Sequence, residues 1–212
     1  MTIIYCYDAY CNWCFGFSPV MQKVNENFSR RFAFEVLSAG MILRRNLLHL
    51  RATADYMLET CKKVEAVTGV VFGNDYLWHI NNSSDSDWHP DSEKPAIALC
   101  ILKEYFQDNQ VALAADLQHA LYGEGRDLCD DEAYRHLLHK YIIPEKEFYK
   151  KLHSKEYKEK AHQEFALVKQ LKVTGYPFVL LQISASKLYQ IANGYTDYDT
   201  IVKRINDVIG HL

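Results

Sequence analysis

Two hydrophobic periods alternate along this 212-residue chain, one typical of strands and one typical of helices. Residues 2–7 (Thr-Ile-Ile-Tyr-Cys-Tyr) and residues 32–39 are rich in β-branched and aromatic side chains, and Gly40 stops the second run. Between these runs, apolar residues recur every three or four positions, as on one face of a helix. The N-terminal region therefore predicts a strand, a helix and a second strand. The helical positions are Phe17, Val20, Met21, Val24 and Phe28.

The middle of the chain, from residue 50 to residue 172, keeps the helical period almost without interruption. Pro144 and Ser154 stand where helices begin, because both residue types are favoured at helix N-termini. The polar run at 81–87 predicts a loop, but it is too short to link independent domains. This region therefore predicts an all-helical block.

The C-terminal region returns to the strand period after Tyr176-Pro177. Residues 178–183 and 187–192 predict a hairpin. Thr196 or Asp197 can then cap a last helix, because both side chains accept hydrogen bonds from the free N–H groups of a first turn. The apolar face of this helix is formed by Ile201, Val202, Ile205, Val208 and Ile209.

The order of these elements predicts an α/β protein. A strand–helix–strand unit, a helical block and a strand–strand–helix unit follow one another, which is the order of a thioredoxin fold (βαβ…ββα) with a large all-helical insertion. We assign residues 1–45 and 170–212 to the thioredoxin-like domain and residues 46–169 to the helical insertion domain.

Composition narrows the class of protein. A net charge of −3 and 49% hydrophobic residues are typical of an ordinary globular protein, and no basic excess favours nucleic acid or a membrane surface as a partner. The first residues lack the pattern of a secretory signal, and no apolar run has transmembrane length. We therefore expect a cytoplasmic protein whose six cysteines are mostly thiols, so that a Cys-x-x-Cys pair indicates redox or metal chemistry.

Cys11-Asn12-Trp13-Cys14 falls where the first strand meets the first helix. Two intervening residues bring the sulfurs close enough to form a disulfide, and the free N–H groups of a helix start favour a thiolate on the first cysteine. We expect Cys11 to be the exposed nucleophile and Cys14 to be the resolving thiol. No metal or bound organic cofactor is implied.

Metal binding and a pair of purely structural thiols are the alternatives for this motif. Cys6, Cys11 and Cys14 have the C-x4-C-x2-C spacing of a plant-type iron–sulfur loop, and a lone Cys-x-x-Cys can be half of a zinc site. Against both, the sequence has no second Cys-x-x-Cys, and the segment before Cys11 has no glycine to let the backbone wrap a cluster. Pro19, eight residues after Cys11, lies inside the predicted helix and is expected to bend it.

The stretch from Asp8 to Pro19, Asp-Ala-Tyr-Cys-Asn-Trp-Cys-Phe-Gly-Phe-Ser-Pro, resembles the D-P-x-C-x-W-C-x-G pattern of the cytoplasmic, FrnE-like branch of the DsbA family. The order of elements fits that family over nearly the full chain. The resemblance implies thiol-disulfide exchange on protein or peptide thiols and disulfides, with glutathione as a further candidate partner. Ala9 departs from the pattern, since the family usually has proline there.

The resemblance also implies roles for individual residues. Cys11 and Cys14 would be the catalytic attacking and resolving cysteines, and Pro177 would be a cis-proline beside the substrate groove. The backbone before such a proline pairs with an extended substrate, so Tyr176 would bind substrate, together with Trp13. Tyr176 is bulkier than the residue common at this position. The aromatic residues expected either to pack beneath the active-site loop or to form an apolar landing patch for substrate are Tyr10, Trp13, Phe15, Tyr176 and Phe178.

Other polar residues are given structural interpretations. Tyr5 stands six residues before Cys11, where thioredoxins keep a buried carboxylate, and Asp8 is the nearest acid; capping of its own loop is favoured over proton transfer. Cys129 is interpreted as a thiol at a helix entry, with an auxiliary redox role as the alternative. Buried core thiols are expected at Cys61 and Cys100, and a solvated or hydrogen-bonded pair at His136 and His139.

Two other functions stay open at this point. A glutathione-dependent transferase or isomerase of the kappa type shares the inserted architecture, although that group generally has serine in place of the first cysteine. A non-catalytic adaptor could use the same fold, with its thiols as a redox sensor. The motif does not predict whether the protein oxidises or reduces its substrates, because Asn12 and Trp13 add no charge beside the thiols.

Overall fold

A single four-stranded sheet forms the centre of the computed structural model, which describes residues 1–43 and 50–210. The strand order is β2-β1-β3-β4; β1 runs parallel to β2 and antiparallel to β3, and β4 runs antiparallel to β3. All four strands lie where the hydrophobic pattern predicts them. Their bounds are β1 Thr2–Tyr7, β2 Ala33–Ser38, β3 Phe178–Ser184 and β4 Lys187–Asn193.

Helices occupy most of the chain between β2 and β3, as predicted. Ser154 caps one of them by accepting the Tyr157 N–H at 3.3 Å, and Pro144 directly precedes another. Asp197, rather than Thr196, caps the last helix by accepting the Thr200 N–H at 2.9 Å. The helices are α1 Asn12–Phe28, α2 Ala54–Thr68, α3 Asn74–Asn81, α4 Glu93–Tyr105, α5 Gln110–Tyr122, α6 Arg135–Lys140, α7 Glu145–Leu152, α8 Lys155–Gln170 and α9 Tyr198–Gly210.

The two faces of the sheet bury different helices. Side chains of successive strand residues point to opposite faces. Tyr5 of β1 therefore packs toward α1, where its ring lies 5.9 Å from that of Phe17. Cys6 points the other way and packs in a separate apolar cluster with Val168 of α8. The sheet thus lies between α1 on one side and α8 on the other.

Side chains from three helices of the inserted region form hydrogen bonds with the backbone N–H and C=O groups on the outer edge of β2. The Val36 N–H donates to Gln110 Oε1 at 2.9 Å, and the Val36 carbonyl accepts from Lys103 Nζ at 2.7 Å. The Ser38 N–H donates to Glu164 Oε2 at 2.8 Å. These residues belong to α5, α4 and α8, so the inserted helices cover an edge whose backbone groups would otherwise be free to pair with another strand.

The division into two domains stays a prediction. Its first boundary, between residues 45 and 46, lies outside the described residues. One continuous apolar cluster includes residues of the sheet, of α1 and of the inserted helices. In the part of the chain that the structure describes, no helix is both long and apolar enough to cross a membrane.

Candidate active site

Cys11 is the N-cap of α1, directly after the loop that leaves β1. The Cys11 N–H donates to the Asp8 carbonyl at 3.1 Å, which closes a turn. The Cys11 Sγ accepts the backbone N–H of Cys14 at 3.3 Å. The first sulfur therefore occupies the position of a capping oxygen, where free N–H groups of the helix stabilise an anion.

The two cysteines differ in exposure. Cys14 is fully buried, and burial, followed by the hydrogen bond to Cys11, raises the pKa of its thiol well above the ordinary value. Cys11 is 7% exposed, so the prediction of an exposed nucleophile is wrong. One reason is that the segment after β2 lies against this loop, where the Met41 N–H donates to Asp8 Oδ2 at 2.7 Å. Cys11 nevertheless borders an open groove, from which Cys14 is screened.

The groove beside Cys11 has a volume of about 410 Å³. It runs between the start of α1, the segment after β2, the first half of α2 and the segment before β3. None of its described lining residues carries a charge, so this part of the groove suits uncharged substrate groups. They are Tyr10, Cys11, Asn12, Trp13, Met41, Ile42, Thr53, Tyr56, Met57, Thr60, Thr174, Gly175 and Tyr176.

The five aromatic residues predicted to cluster near the motif lie in different places, some in the groove and some in the interior. Tyr10, Trp13 and Tyr176 line the groove, and Trp13 and Tyr176 are half-buried. Phe15 instead packs 5.2 Å from the ring of Phe72. Phe178 is buried in the cluster beneath α8, on the other face of the sheet. Packing in the interior is therefore found for Phe15 and Phe178, of which Phe178 does not lie beneath the active-site loop, and a landing patch for substrate at Tyr10, Trp13 and Tyr176 stays a prediction.

The peptide bond between Tyr176 and Pro177 is cis. Tyr176 faces the groove, whereas Pro177 is buried and its carbonyl accepts the Gly194 N–H at 2.8 Å. Burial, followed by the nearby Asp8, raises the pKa of the Tyr176 hydroxyl to about 12. The hydroxyl therefore stays protonated at neutral pH.

Asn12, the first residue between the two cysteines, is buried and bonded on both sides. Its Nδ2 donates to Cys61 Sγ of α2 at 3.2 Å, and its Oδ1 accepts the Tyr122 hydroxyl of α5 at 3.0 Å. Cys61 is buried, as predicted, but the contact with Asn12 is not predictable from the sequence. These bonds tie the start of α1 to two inserted helices.

Asp8 is buried beneath the Cys11 loop. Its Oδ1 accepts the Tyr10 N–H at 3.0 Å, which is the predicted loop cap. The same oxygen accepts the Ser92 hydroxyl at 2.8 Å, and Oδ2 accepts the Met41 N–H at 2.7 Å. Burial raises the pKa of the carboxyl, and these hydrogen bonds oppose that effect. The last two partners are far away in the sequence, and no local pattern signals them.

Cys129 lies in the turn before α6, half-buried. Its Sγ is 3.4 Å from the Tyr10 hydroxyl, and burial is the main reason that the pKa of its thiol is raised to about 11. The thiol is therefore protonated at neutral pH, and an auxiliary redox role stays a prediction. Tyr5, at the position of the thioredoxin carboxylate, has a buried hydroxyl without a hydrogen-bond partner in the described part of the chain.

The iron–sulfur spacing does not produce a cluster of cysteines. Cys6 faces α8, on the side of the sheet opposite to the one that α1 covers. Within residues 1–43 and 50–210, no three His, Cys, Asp or Glu side chains are arranged to hold a metal ion. His139 Nε2 lies 2.8 Å from Glu145, and His136 Nε2 lies 3.6 Å from Glu124, so the two histidines have separate partners.

Comparisons with known proteins agree on one fold. The family profile described as DSBA-like thioredoxin domain matches residues 2–206. A candidate protein disulfide isomerase from Nitrosomonas europaea superimposes with a TM-score of 0.86 at 21% identity, over 99% of this chain and 98% of that one. No curated protein sequence matches.

Two further solved structures share the fold. The cytosolic disulfide reductase DsbM from Pseudomonas aeruginosa, which has also been solved with GSH, has a TM-score of 0.79 at 20% identity, with both chains fully covered. A 2-hydroxychromene-2-carboxylate isomerase has a TM-score of 0.64 at 14% identity, over 100% of this chain and 95% of that one.

Proposed function

Because this chain belongs to the DSBA-like thioredoxin family, we propose that it is a thiol-disulfide oxidoreductase whose redox couple is Cys11 and Cys14. One observation carries the proposal. The Cys11 sulfur caps α1, accepts the Cys14 N–H at 3.3 Å and borders the groove, while Cys14 stands behind it. In this arrangement the Cys11 sulfur can contact a substrate, and the Cys14 sulfur can contact only Cys11, as a resolving thiol does.

Disulfide exchange at this site takes two displacements. The Cys11 thiolate attacks one sulfur of a substrate disulfide R–S–S–R′, forms Cys11–S–S–R and expels R′S⁻, which takes up a proton. Cys14 then loses its proton and attacks the Cys11 sulfur, which releases RS⁻ and leaves a Cys11–Cys14 disulfide. The substrate gains two electrons and two protons, and the dithiol pair loses them. A second thiol compound must return the pair to its reduced form.

Protein or peptide disulfides are the proposed substrates. Trp13 and Tyr176 offer aromatic surface on two sides of the groove, and the backbone at Tyr176 and Pro177 provides a place for an extended peptide beside Cys11. We propose a thiol such as glutathione as the reductant, since DsbM, a cytosolic disulfide reductase of the same fold, has been solved with GSH. A reducing cytosol is accordingly the proposed compartment.

A glutathione-dependent isomerase of the kappa type is the second candidate. The likeness to 2-hydroxychromene-2-carboxylate isomerase favours it. Such a reaction needs glutathione as a bound participant and no second thiol at the site. The fully buried Cys14 one turn from Cys11 favours disulfide exchange instead. The adaptor hypothesis requires neither thiol for partner binding.

Reduction of insulin by glutathione, followed as turbidity, tests the proposal. Cys11→Ser should reduce the catalysed rate to the uncatalysed rate. Cys100→Ser is the matched control, because Cys100 is also buried but contacts Glu164 far from the groove. The redox assignment is wrong if Cys11→Ser retains the wild-type rate. Turnover of a chromene carboxylate by Cys14→Ser would favour the isomerase.

A further inference from the structure

A buried glutamine lies against the turn that leads into Cys11. Gln118 belongs to α5 and is 1% exposed. Apart from Gln118 and Tyr122, the buried side chains of that helix are all apolar. Burying an amide costs free energy unless its polar atoms form hydrogen bonds. The contacts of Gln118 therefore indicate why an amide, and not another apolar side chain, stands at this position.

The amide nitrogen of Gln118 contacts both ends of the turn. Its Nε2 donates to the Asp8 carbonyl at 3.2 Å and, over a longer distance of 3.5 Å, to the Cys11 carbonyl. An amide NH2 group has two hydrogens, so it can supply one to each of these acceptors. A single side chain therefore fixes the distance between the first and the last carbonyl of the turn.

Both carbonyls also have a backbone partner. The Asp8 carbonyl accepts the Cys11 N–H at 3.1 Å, and the Cys11 carbonyl accepts the Phe15 N–H at 3.1 Å in the first turn of α1. Gln118 is thus a second donor to each, and removal of its amide would leave neither carbonyl without a hydrogen bond. The need to pair buried backbone groups therefore does not explain the amide, whereas fixing the position of the turn does.

The helix α5 holds the Cys-x-x-Cys segment at a second point. Tyr122 stands four residues after Gln118, on the same face of the helix, and its hydroxyl donates to Asn12 Oδ1 at 3.0 Å. Neither Gln118 nor Tyr122 is among the described lining residues of the groove. Both therefore act on the segment that carries the Cys11 sulfur and not on a bound substrate.

We propose that Gln118 is a positioning residue for Cys11, an inference that rests on the function proposed above. Its amide holds the turn from Asp8 to Cys11 against α5, which keeps the Cys11 backbone extended, with φ −93° and ψ 106°. In that conformation the Cys11 sulfur caps α1, accepts the Cys14 N–H at 3.3 Å and borders the groove. The first displacement then starts from a sulfur that is already placed for attack.

Single-turnover kinetics of Cys14→Ser measure the first displacement by itself, because this variant cannot complete the second. The protein is mixed with an excess of a peptide disulfide at several concentrations. Acid quenching and mass spectrometry follow the mixed disulfide on Cys11 over time. The maximal rate reports the attack by the sulfur, and the peptide concentration at half of that rate reports binding in the groove.

Two substitutions, each added to Cys14→Ser, remove the amide donor. Gln118→Met and Gln118→Leu fill a similar volume with an apolar side chain. Gln110→Met is the matched control, because Gln110 is the same residue type on the same helix. Its Oε1 accepts the Val36 N–H at 2.9 Å, on the outer edge of β2. Circular dichroism and thermal unfolding establish that each variant is folded at the assay temperature.

Both Gln118 variants should lower the maximal rate about tenfold, because a small displacement of an attacking atom slows a reaction steeply. The peptide concentration at half of the maximal rate should not change, since the amide does not line the groove. Gln110→Met should keep both values. This split between the two quantities separates positioning of Cys11 from a general loss of structure.

An unchanged maximal rate in a folded Gln118 variant overturns the inference. An equal fall in Gln110→Met also overturns it, because a structural effect would then be sufficient, and so does a change confined to the half-maximal concentration. If only one Gln118 variant folds, that variant decides; if neither folds, the amide serves folding and the inference is wrong. If Cys14→Ser alone forms no mixed disulfide at any peptide concentration, the proposed function itself fails.

Discussion

Tyr122 donates its hydroxyl to Asn12 Oδ1 at 3.0 Å, across 110 residues of sequence. Both side chains are buried, and Asn12 separates the candidate redox cysteines by lying between Cys11 and Trp13. The contact joins the first turn of α1 to the last turn of α5. Together with the bond from Asn12 to Cys61 of α2, this hydrogen bond connects the Cys-x-x-Cys segment to the inserted helices.

Loss of this bond should destabilise the fold. Asn12→Ala leaves the Tyr122 hydroxyl buried without an acceptor, and we expect the free energy of unfolding to fall by about 1–3 kcal/mol. Urea denaturation measures it. Tyr122→Phe removes the other partner, and the double variant should lose less than the sum of the two single losses. Strictly additive losses would show that the two groups do not interact.

Cys14→Ser should trap substrate on Cys11. The variant can complete the first displacement but not the second, so a mixed disulfide accumulates. Non-reducing electrophoresis of the variant after incubation with a peptide disulfide should show an adduct that dithiothreitol releases. The variant Cys11→Ser/Cys14→Ser is the control and should show none. Equal adduct in that double variant would place the reactive thiol elsewhere.

The thiols should differ in their rates of alkylation. Cys129 is half-buried, but because the pKa of its thiol is raised to about 11 only a very small fraction is thiolate at pH 7.5. Cys14 is fully buried. We therefore expect iodoacetamide to modify Cys11 first in the native protein, as peptide mapping by mass spectrometry can establish. Faster labelling of Cys129 would contradict the assignment of Cys11 as the accessible nucleophile.

A carboxylate between α4, α7 and α8 should make stability depend on pH. Burial alone would raise the pKa of Glu104, but hydrogen bonds from Lys160, Tyr157 and Lys151 outweigh it and lower that pKa to about 2. Since the pKa is depressed in the folded state, the stabilisation is present above the unfolded pKa of about 4.3 and is lost as the pH falls through about 2.

Glu104→Gln tests this dependence. We expect the substitution to lower the free energy of unfolding at pH 7 by about 0.5–1 kcal/mol, a small value because the side chain is partly exposed and screened. The difference from the wild type should shrink as the pH falls from 5 toward 2. Glu159→Gln, which breaks a more exposed pair with Lys155, should have a smaller effect at every pH. A Glu104 difference that is independent of pH would contradict the assignment.

Local signals in the sequence were sufficient for the order of strands and helices and for the position of the Cys-x-x-Cys motif at a helix start. Strands and helices follow from hydrophobic spacing, and the cap at Ser154 and the helix start after Pro144 follow from residue type. Cys11 and Cys14 fall at a strand–helix junction because Cys-x-x-Cys lies between two such periods. Each of these features depends on residues close together in the chain, which is why they can be read directly.

The surroundings of the motif depend on distant residues, and apart from Tyr176 and Pro177, which the family resemblance implies, they could not be predicted. The Asp8 carboxylate accepts hydrogen bonds from Met41 and Ser92, which are 33 and 84 residues away in the sequence. The low exposure of Cys11 has the same origin, because Met41 after β2 and Gln118 of α5 both donate hydrogen bonds to Asp8 of its loop. Hydrophobic spacing gives the face that a helix buries, but not the partner against which that face packs.

The covered edge of β2 has a consequence for attempts to shorten this protein. Gln110, Lys103 and Glu164 occupy the hydrogen-bonding places that a neighbouring strand would take. A chain reduced to residues 1–45 and 170–212 would expose that edge and the apolar surface beneath α8 at once. Such a minimal version would be driven to pair edge to edge with copies of itself, so the inserted helices protect the protein from aggregation as well as shaping its groove.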